Sequence, residues 1–397
     1  MSAPSYPLVL GLAGRRAIVV GGGPVAARRT TALVGAGADV VLVSPWVCED
    51  LHDLVDAGTI TWVPRDYTGG DLDGAWLVHT ATGDPATDEL VAAHAEGAHV
   101  WCVRADEASL SAAWTPAVAR VGEVMVAVTA GGDPRRATTL RDAVAVALDT
   151  GSLPVRRHRP HTGSVALVGG GPGDPGLITT RGRRLLAEAD VVLVDRLAPR
   201  ALVDDLDPDV VVVDVGKTAG HHPLPQEEIN RLLVEHAQAG RRVVRLKGGD
   251  PFVLGRGGEE AIACLAAGVP VEVVPGVTSA VAVPAAAGIP VTHRGLARQV
   301  TIASGHEGLD WVSLGRLEGT LVLLMAVSAL AEATTALVGA GKPADTQAAI
   351  VESGCTPQQR TTVGTLATIA ALARERQVQA PAVLVVGDVV GLHDVLG

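Results

Sequence analysis

Aromatic residues are scarce in this chain of 397, with six Trp, two Tyr and one Phe, whereas aliphatic residues and 47 glycines are plentiful. That balance favours layers of Val-rich strands and Ala-rich helices joined by tight turns. Lysine is rarer still: of 32 basic residues only Lys217, Lys247 and Lys342 are lysines. A net charge of −11 argues against a general nucleic-acid or anionic-membrane surface. The four cysteines, Cys48, Cys102, Cys264 and Cys355, form no CxxC pair and no zinc-finger spacing. Nor does any apolar run reach the ~18 residues that a membrane span needs. The N-terminus lacks a basic segment followed by a long apolar stretch, so no signal peptide is expected and a reduced, cytoplasmic setting is.

Against these absences, short apolar strand patterns alternate with helical ones along most of the chain. Strands are expected at 17–20, 40–43, 76–80, 100–103 and 123–129, with helices over 24–36 and 138–148. The stretch 151–163 combines proline, glycine and basic residues without periodicity and reads as a linker. Strands resume at 165–168, 191–194, 210–215, 243–246 and 271–274, then at 300–303, 321–325, 348–351 and 383–386. The expected fold class is α/β: an N-terminal Rossmann-like parallel-sheet domain, then a two-lobed α/β module. The boundaries read as 1–113, a small dimerisation-type segment at 114–150, the linker, and 164–397.

Two glycine turns stand out. In the first, Gly21-Gly22-Gly23-Pro24-Val25-Ala26 follows a strand and opens a helix, matching G-x-G-x-x-A. Gly21 would make the tight turn, Gly23 would admit a pyrophosphate, and Ala26 would allow close helix packing. The exposed N–H groups at the helix start would hold the phosphates. NAD is the expected ligand, with Gly21, Gly23, Pro24, Val25, Pro45 and Trp46 around it. No acid ends the second strand to grip the ribose, so the adenosine contacts are expected to differ from the usual ones.

The second turn, Gly169-Gly170-Gly171-Pro172-Gly173-Asp174-Pro175-Gly176, is a different loop. Beyond it, Asp195-Arg196 and Gly216-Lys217 end successive strands, where side chains face the crevice of an open α/β sheet. An acid and an amine placed there can form a proton-transfer pair. The run from Lys247-Gly248-Gly249-Asp250-Pro251-Phe252 to Gly255-Arg256-Gly257-Gly258-Glu259-Glu260 is long and specific, and Pro275-Gly276-Val277-Thr278-Ser279 follows it. Lys217, Asn230, Lys247 and Phe252 are residue types that the chain otherwise almost avoids. Their grouping points to a site, because a retained lysine supplies a compact, titratable amine.

The C-terminal motifs resemble the tetrapyrrole methylase superfamily. Together with Glu227–Asn230 and Gly288–Arg294, they narrow the likeness to uroporphyrinogen III C-methyltransferases. That resemblance implies S-adenosylmethionine as methyl donor and Asp195 and Lys217 as proton acceptor and donor. It places the cofactor against Pro172, Gly248, Gly249, Asp250, Val253, Thr278, Ser279, Met325 and Gly354. Arginines should grip the substrate's carboxylates, with Arg181, Arg183, Arg184, Arg294 and Arg298 as candidates. His221-His222 reads as a solvated loop pair.

The N-terminal part resembles the precorrin-2 dehydrogenase domain of siroheme synthases. The likeness rests on Leu12–Arg16, on the Gly21–Arg29 turn, and on Trp101-Cys102 ahead of Asp106. It implies Asp106 as general base in NAD-dependent ring oxidation and as the acid that steers ferrous iron. The family carries asparagine where this chain has Val103, and a helical extension where this chain has the linker. Three readings stay open: a multifunctional enzyme, a methyltransferase whose N-terminal domain assembles or senses NAD, and a methylase of another tetrapyrrole or of diphthamide, which the Gly169–Gly176 loop allows and the Lys247–Glu260 run argues against. A homodimer that binds a tetrapyrrole, but no nucleic acid or membrane, is expected.

Overall fold

A computed structural model describes residues 6–153, 162–204, 206–216, 224–306 and 308–397. The chain divides into two compact units, Met1–Ala143 and Val144–Gly397.

The first unit is built on strands β1 (Arg16–Val20), β2 (Asp39–Val43), β3 (Thr61–Val63), β4 (Leu77–Thr80) and β5 (Trp101–Arg104). They form one parallel sheet in the order β3-β2-β1-β4-β5. Both faces of β1 are covered, which is why Ala17–Val20 are apolar without alternation. The helix Pro24–Gly35 packs Ala26, Ala27 and Leu33 on one face, and Val91 and Ala95 of the helix Pro85–Gly97 cover the other. Beyond the sheet, β6 (Ala117–Val121) and β7 (Val124–Val128) pair only with each other, antiparallel. The helix Pro134–Asp149 follows, four residues earlier than its apolar pattern alone suggests.

The second unit has two sheets. The first runs β10 (Val211–Asp214), β9 (Val191–Val194), β11 (Arg242–Lys247), β8 (Ser164–Gly169), β12 (Val271–Val274), all parallel. The other runs β13 (Val300–Ser304), β14 (Thr320–Leu324), β17 (Ala382–Val386), β15 (Gln347–Glu352), β16 (Arg360–Thr365). Here β14 and β15 both pair antiparallel with β17, so their C-terminal ends lie at the same sheet edge. The α/β class is as expected from the strand pattern. Three edge or ribbon strands, β3, β6 and β16, were not expected.

Candidate functional site

In the second unit, the C-terminal ends of β8, β9, β11 and β12 converge. Their loops approach so closely that only glycine fits at the crossing. A Cβ on Gly169 would stand 2.5 Å from Gly276 N and 2.7 Å from the Gly249 carbonyl oxygen. Gly171 and Gly249 exchange backbone hydrogen bonds of 3.2 and 2.7 Å across the same point. Asp250 locks the arrangement: Oδ1 accepts from the N–H groups of Phe252 (2.8 Å) and Val253 (3.1 Å), and Oδ2 from Gly276 (3.0 Å). Its carboxylate thus ties the turn after β11 to the loop after β12.

The third sheet supplies the opposite side. Gly173 meets the loop after β15, since a Cβ there would lie 2.7 Å from Thr356 Cγ2. Met325, directly after β14, has φ +59°, and Ser353 and Cys355, flanking Gly354, have φ +46° and +60°. Left-handed backbone at non-glycine residues costs of order 1–3 kcal/mol each and persists where surrounding structure enforces it. Three such residues follow β14 and β15 at one sheet edge, and Gly173 approaches the carbonyls of Gly354 and Cys355 there. At Gly249 an added Cβ would make ordinary contacts of 3.5–4.0 Å with Thr278 and Ser279, so these two residues lie directly against that turn. The Thr278 hydroxyl caps the helix Ser279–Ala286 by accepting from Ala280 N (3.3 Å). The structure therefore gathers Pro172, Gly248, Gly249, Asp250, Val253, Thr278 and Ser279 into one wall and places Met325 and Gly354 on the facing edge.

Asp195 follows β9, its N–H donating to Leu246 O (2.9 Å), with its side chain about one-third exposed. Lys217 lies outside the described residues, as do His221 and His222; the residue before it, Gly216, abuts Arg196. Beneath Asp195 lies a buried polar group that the sequence reading did not assemble. Arg245 reaches Asp195 Oδ1 at 3.6 Å and donates through Nε to Glu260 Oε1 at 2.9 Å. Lys247 Nζ sits 3.1 Å from both Glu260 oxygens. Gln226 Nε2 donates to Glu260 (3.2 Å) and to Asn230 (3.0 Å). Burial, then the neighbouring Arg245, pushes the Lys247 ammonium below its ordinary value, while Glu260 and Asp195 act in the opposite direction.

Of the candidate arginines, Arg181 pairs with Glu272, Arg184 with Glu188 and Asp149, and Arg183 donates to Pro175 O. Arg294 and Arg298 are exposed and have no side-chain partner among the described residues.

In the first unit the glycine turn follows β1. Gly21 has φ +125° and abuts the Ala81 backbone. The tightest position is Gly22, which the motif leaves free: its missing Cβ would fall on the Trp46 carbonyl and 2.7 Å from Ser44 Oγ. Space over Gly23 is open, with the Trp46 ring 3.8 Å from an added Cβ, and Pro24 opens the helix. Gly21, Gly23, Pro24, Val25, Pro45 and Trp46 thus share one corner, in which Val25 and Trp46 are exposed. An open backbone approach beside a helix N-terminus fits a dinucleotide.

Asp106 follows β5 at the same sheet edge, two strands from β1. Arg104, itself buried, grips it with two hydrogen bonds, Nε to Oδ1 at 3.0 Å and a second nitrogen to Oδ2 at 2.6 Å. That bond holds the Asp106 carboxyl below the usual range. On the sheet, Val103 neighbours His79 of β4. Burial, then Arg29, pushes His79 down to about 4, so its ring is neutral. No group of three or more His, Cys, Asp or Glu among the described residues could hold a metal ion.

Residues 164–370 match the tetrapyrrole (corrin/porphyrin) methylases, and residues 8–117 match a putative NAD(P)-binding family. A siroheme synthase of Chromobacterium violaceum is 38% identical, over 98% of this chain and 96% of that protein. That alignment has 451 positions; 98% of 397 is about 389, so about 62 positions have no residue here. An S-adenosyl-L-methionine-dependent uroporphyrinogen III methyltransferase of Methanosarcina barkeri is 52% identical over 59% of this chain and 95% of that one. The crystal structure of a Thermus thermophilus uroporphyrin-III C-methyltransferase with S-adenosylhomocysteine covers 58% of this chain and all of that chain. Its identity is 44% and its TM-score 0.51. With a methylase match across half its length and a siroheme synthase likeness from end to end, the chain belongs to the siroheme synthase family.

Proposed function

We propose that the second unit methylates uroporphyrinogen III with S-adenosylmethionine to give precorrin-2. The first unit then oxidises precorrin-2 with NAD to sirohydrochlorin, and ferrous iron enters as a substrate to give siroheme. The observation that carries this reading is the end-to-end likeness to siroheme synthases, with both modules in order. The boundaries we carry forward are 1–113, 114–150, 151–163 and 164–397.

S-adenosylmethionine supplies an electrophilic methyl group, and the protein's work is positioning and proton removal. Pro172, Gly248, Gly249, Asp250, Val253, Thr278, Ser279, Met325 and Gly354 hold the cofactor. Asp195, at the crevice and partly exposed, accepts the proton that the methylated pyrrole carbon's neighbour releases, and Lys217 donates one. Arg294 and Arg298 are the substrate-gripping arginines best supported, because neither is committed elsewhere. In the first unit the Gly21–Val25 turn with Pro45 and Trp46 holds NAD, and Asp106 serves as base and steers the iron.

A second reading, methyltransferase activity alone, is favoured by one specific feature. Arg104 holds both oxygens of Asp106, which weakens it as a base and engages the atoms a cation would need. Purified protein given uroporphyrinogen III, S-adenosylmethionine, NAD and ferrous iron decides between them. Siroheme supports the full sequence, and accumulation of precorrin-2 supports the second reading.

A cytoplasmic homodimer is the assembly we propose. All four cysteines are free. Among the described residues the β6–β7 ribbon pairs with no other strand and exposes Val118, Val124 and Met125, and Leu140 of the following helix is exposed as well. A two-stranded ribbon is marginal alone and gains from a partner. No helix among the described residues is long and apolar enough to cross a membrane.

A further inference from the structure

Three ionisable side chains, Arg245, Lys247 and Glu260, lie buried under the Asp195 end of β9, each less than 5% exposed along its side chain. As a means of stabilising the fold this is a poor arrangement, because taking charges out of water offsets most of what their attraction returns. The register explains what they serve instead. Val194 pairs with Leu246, so Lys247 stands alongside Asp195 at the strand ends, and Arg245 lies one pleat deeper on the same face. Glu260 rises from the helix Gly257–Ala266 between the two cations and touches both. Gln226, from the helix Gln226–Gln238, donates to Glu260 from the other side and to Asn230 on its own helix.

Counting charge, two buried cations face one buried anion, and Asp195 is the fourth member that brings the group to neutrality. Among the described residues, the charged groups facing Asp195 are Arg245 and Lys247 from β11 and Glu260 from the helix. Arg196 follows on its own turn.

We propose that Arg245, Lys247 and Glu260 are positioning residues for methyl transfer. The two cations hold the Asp195 carboxylate in place at the strand end, and Glu260 fixes both cations beneath it. The inference rests on the reading of Asp195 as the proton acceptor. It extends that reading by assigning the positioning of Asp195 to side chains buried beneath it.

The two sides of the network can be weakened separately, with opposite consequences. Lys247→Met removes a cation while leaving Arg245 and Glu260 paired. With that cation gone, the acidic limb of the pH–kcat profile is expected to move up. Glu260→Gln unmasks the cations, and the limb moves down. Both variants keep the wild-type KM for S-adenosylmethionine, because neither side chain lines its pocket. A purely structural role would lower kcat or the melting temperature without moving the limb, and never in opposite directions.

The experiment is the methyl-transfer pH profile of the full chain and of Lys247→Met, Glu260→Gln and Asp195→Asn. Binding of S-adenosylhomocysteine serves as the check on folding for each. Opposite shifts in the first two variants, with Asp195→Asn inactive but still binding, support the proposal. Unmoved limbs with Asp195→Asn inactive overturn it while leaving the Asp195 reading intact. Full turnover in Asp195→Asn overturns that reading itself. Should Glu260→Gln fail to bind S-adenosylhomocysteine, the upward shift of Lys247→Met alone decides.

Discussion

Replacing Gly169 with alanine should cripple cofactor binding through a single methyl group. Gly169 does not use left-handed backbone, so alanine brings no φ penalty, and any effect is steric. The added carbon would lie 2.5 Å from Gly276 N and Cα and 2.7 Å from Gly249 O. Each of these atoms is backbone, so no side chain can swing aside. Reaching an ordinary contact requires the loops to part by about 1 Å. Overpacking of this kind costs roughly 1–3 kcal/mol. Parting the loops also pulls Gly276 N from Asp250 Oδ2, now 3.0 Å away, a charged hydrogen bond of about 1.5–3 kcal/mol. If about 3 kcal/mol of this falls on the binding-competent arrangement, affinity for S-adenosylhomocysteine drops on the order of a hundredfold. Calorimetric titration measures this directly. Gly258→Ala is the control: an added Cβ there meets nothing within 4 Å, and alanine favours the helix. Wild-type affinity in Gly169→Ala would refute the glycine-crossing account.

Three further outcomes follow from the first unit. Burial lowers His79 from 6.5 to about 4, so the folded state binds this proton less readily than the unfolded one. The stabilising contribution is therefore complete above about pH 6.5 and is lost as pH falls toward 4, up to about 3 kcal/mol. His79→Leu should flatten that dependence in urea titrations followed by tryptophan fluorescence, since Trp46, Trp62, Trp76, Trp101 and Trp114 all lie in this unit. Arg104→Met should release Asp106 to protonate at higher pH, moving the acidic limb of precorrin-2 oxidation upward; an unmoved limb would remove Asp106 from the role of base. Gly22→Ala, driven into the Trp46 carbonyl, should weaken NAD binding more than Gly23→Ala does, as measured by NAD titration. Equal losses would contradict the geometry of the turn.

The buried parallel strands were legible because both faces of each are covered, which leaves uninterrupted apolar runs such as Ile18–Val20 and Val191–Val194. Edge strands lack that signature. In β16, Arg360-Thr361-Thr362-Val363-Gly364-Thr365 is largely polar, and β3 is only three residues long. The helix before the linker starts at Pro134 because proline suits a first turn, whereas its apolar positions begin later. The candidate site positions at strand ends stood out for a similar reason, since Asp195 and Gly248–Asp250 interrupt apolar runs. Partnerships across the sheet were not. That Glu260 would sit between Arg245 and Lys247 depends on the register of β11 and the pitch of a helix, although the scarcity of lysine and asparagine had already singled out Lys247 and Asn230. The grip of Arg104 on Asp106 needed only a two-residue spacing, but a strand end can turn such a pair together or apart. At the first glycine turn the motif assigned roles to Gly21 and Gly23, while the tightest packing falls on Gly22, a position that the pattern leaves unspecified.

The central claim is that the second unit transfers methyl groups to uroporphyrinogen III. The most direct test incubates the purified chain anaerobically with uroporphyrinogen III and S-adenosylmethionine, with NAD and iron withheld, and identifies the product by mass. Two methyl groups per tetrapyrrole, arriving as precorrin-2 and abolished by Asp195→Asn, are the predicted result. An unmethylated tetrapyrrole recovered from protein that demonstrably binds S-adenosylhomocysteine would contradict it.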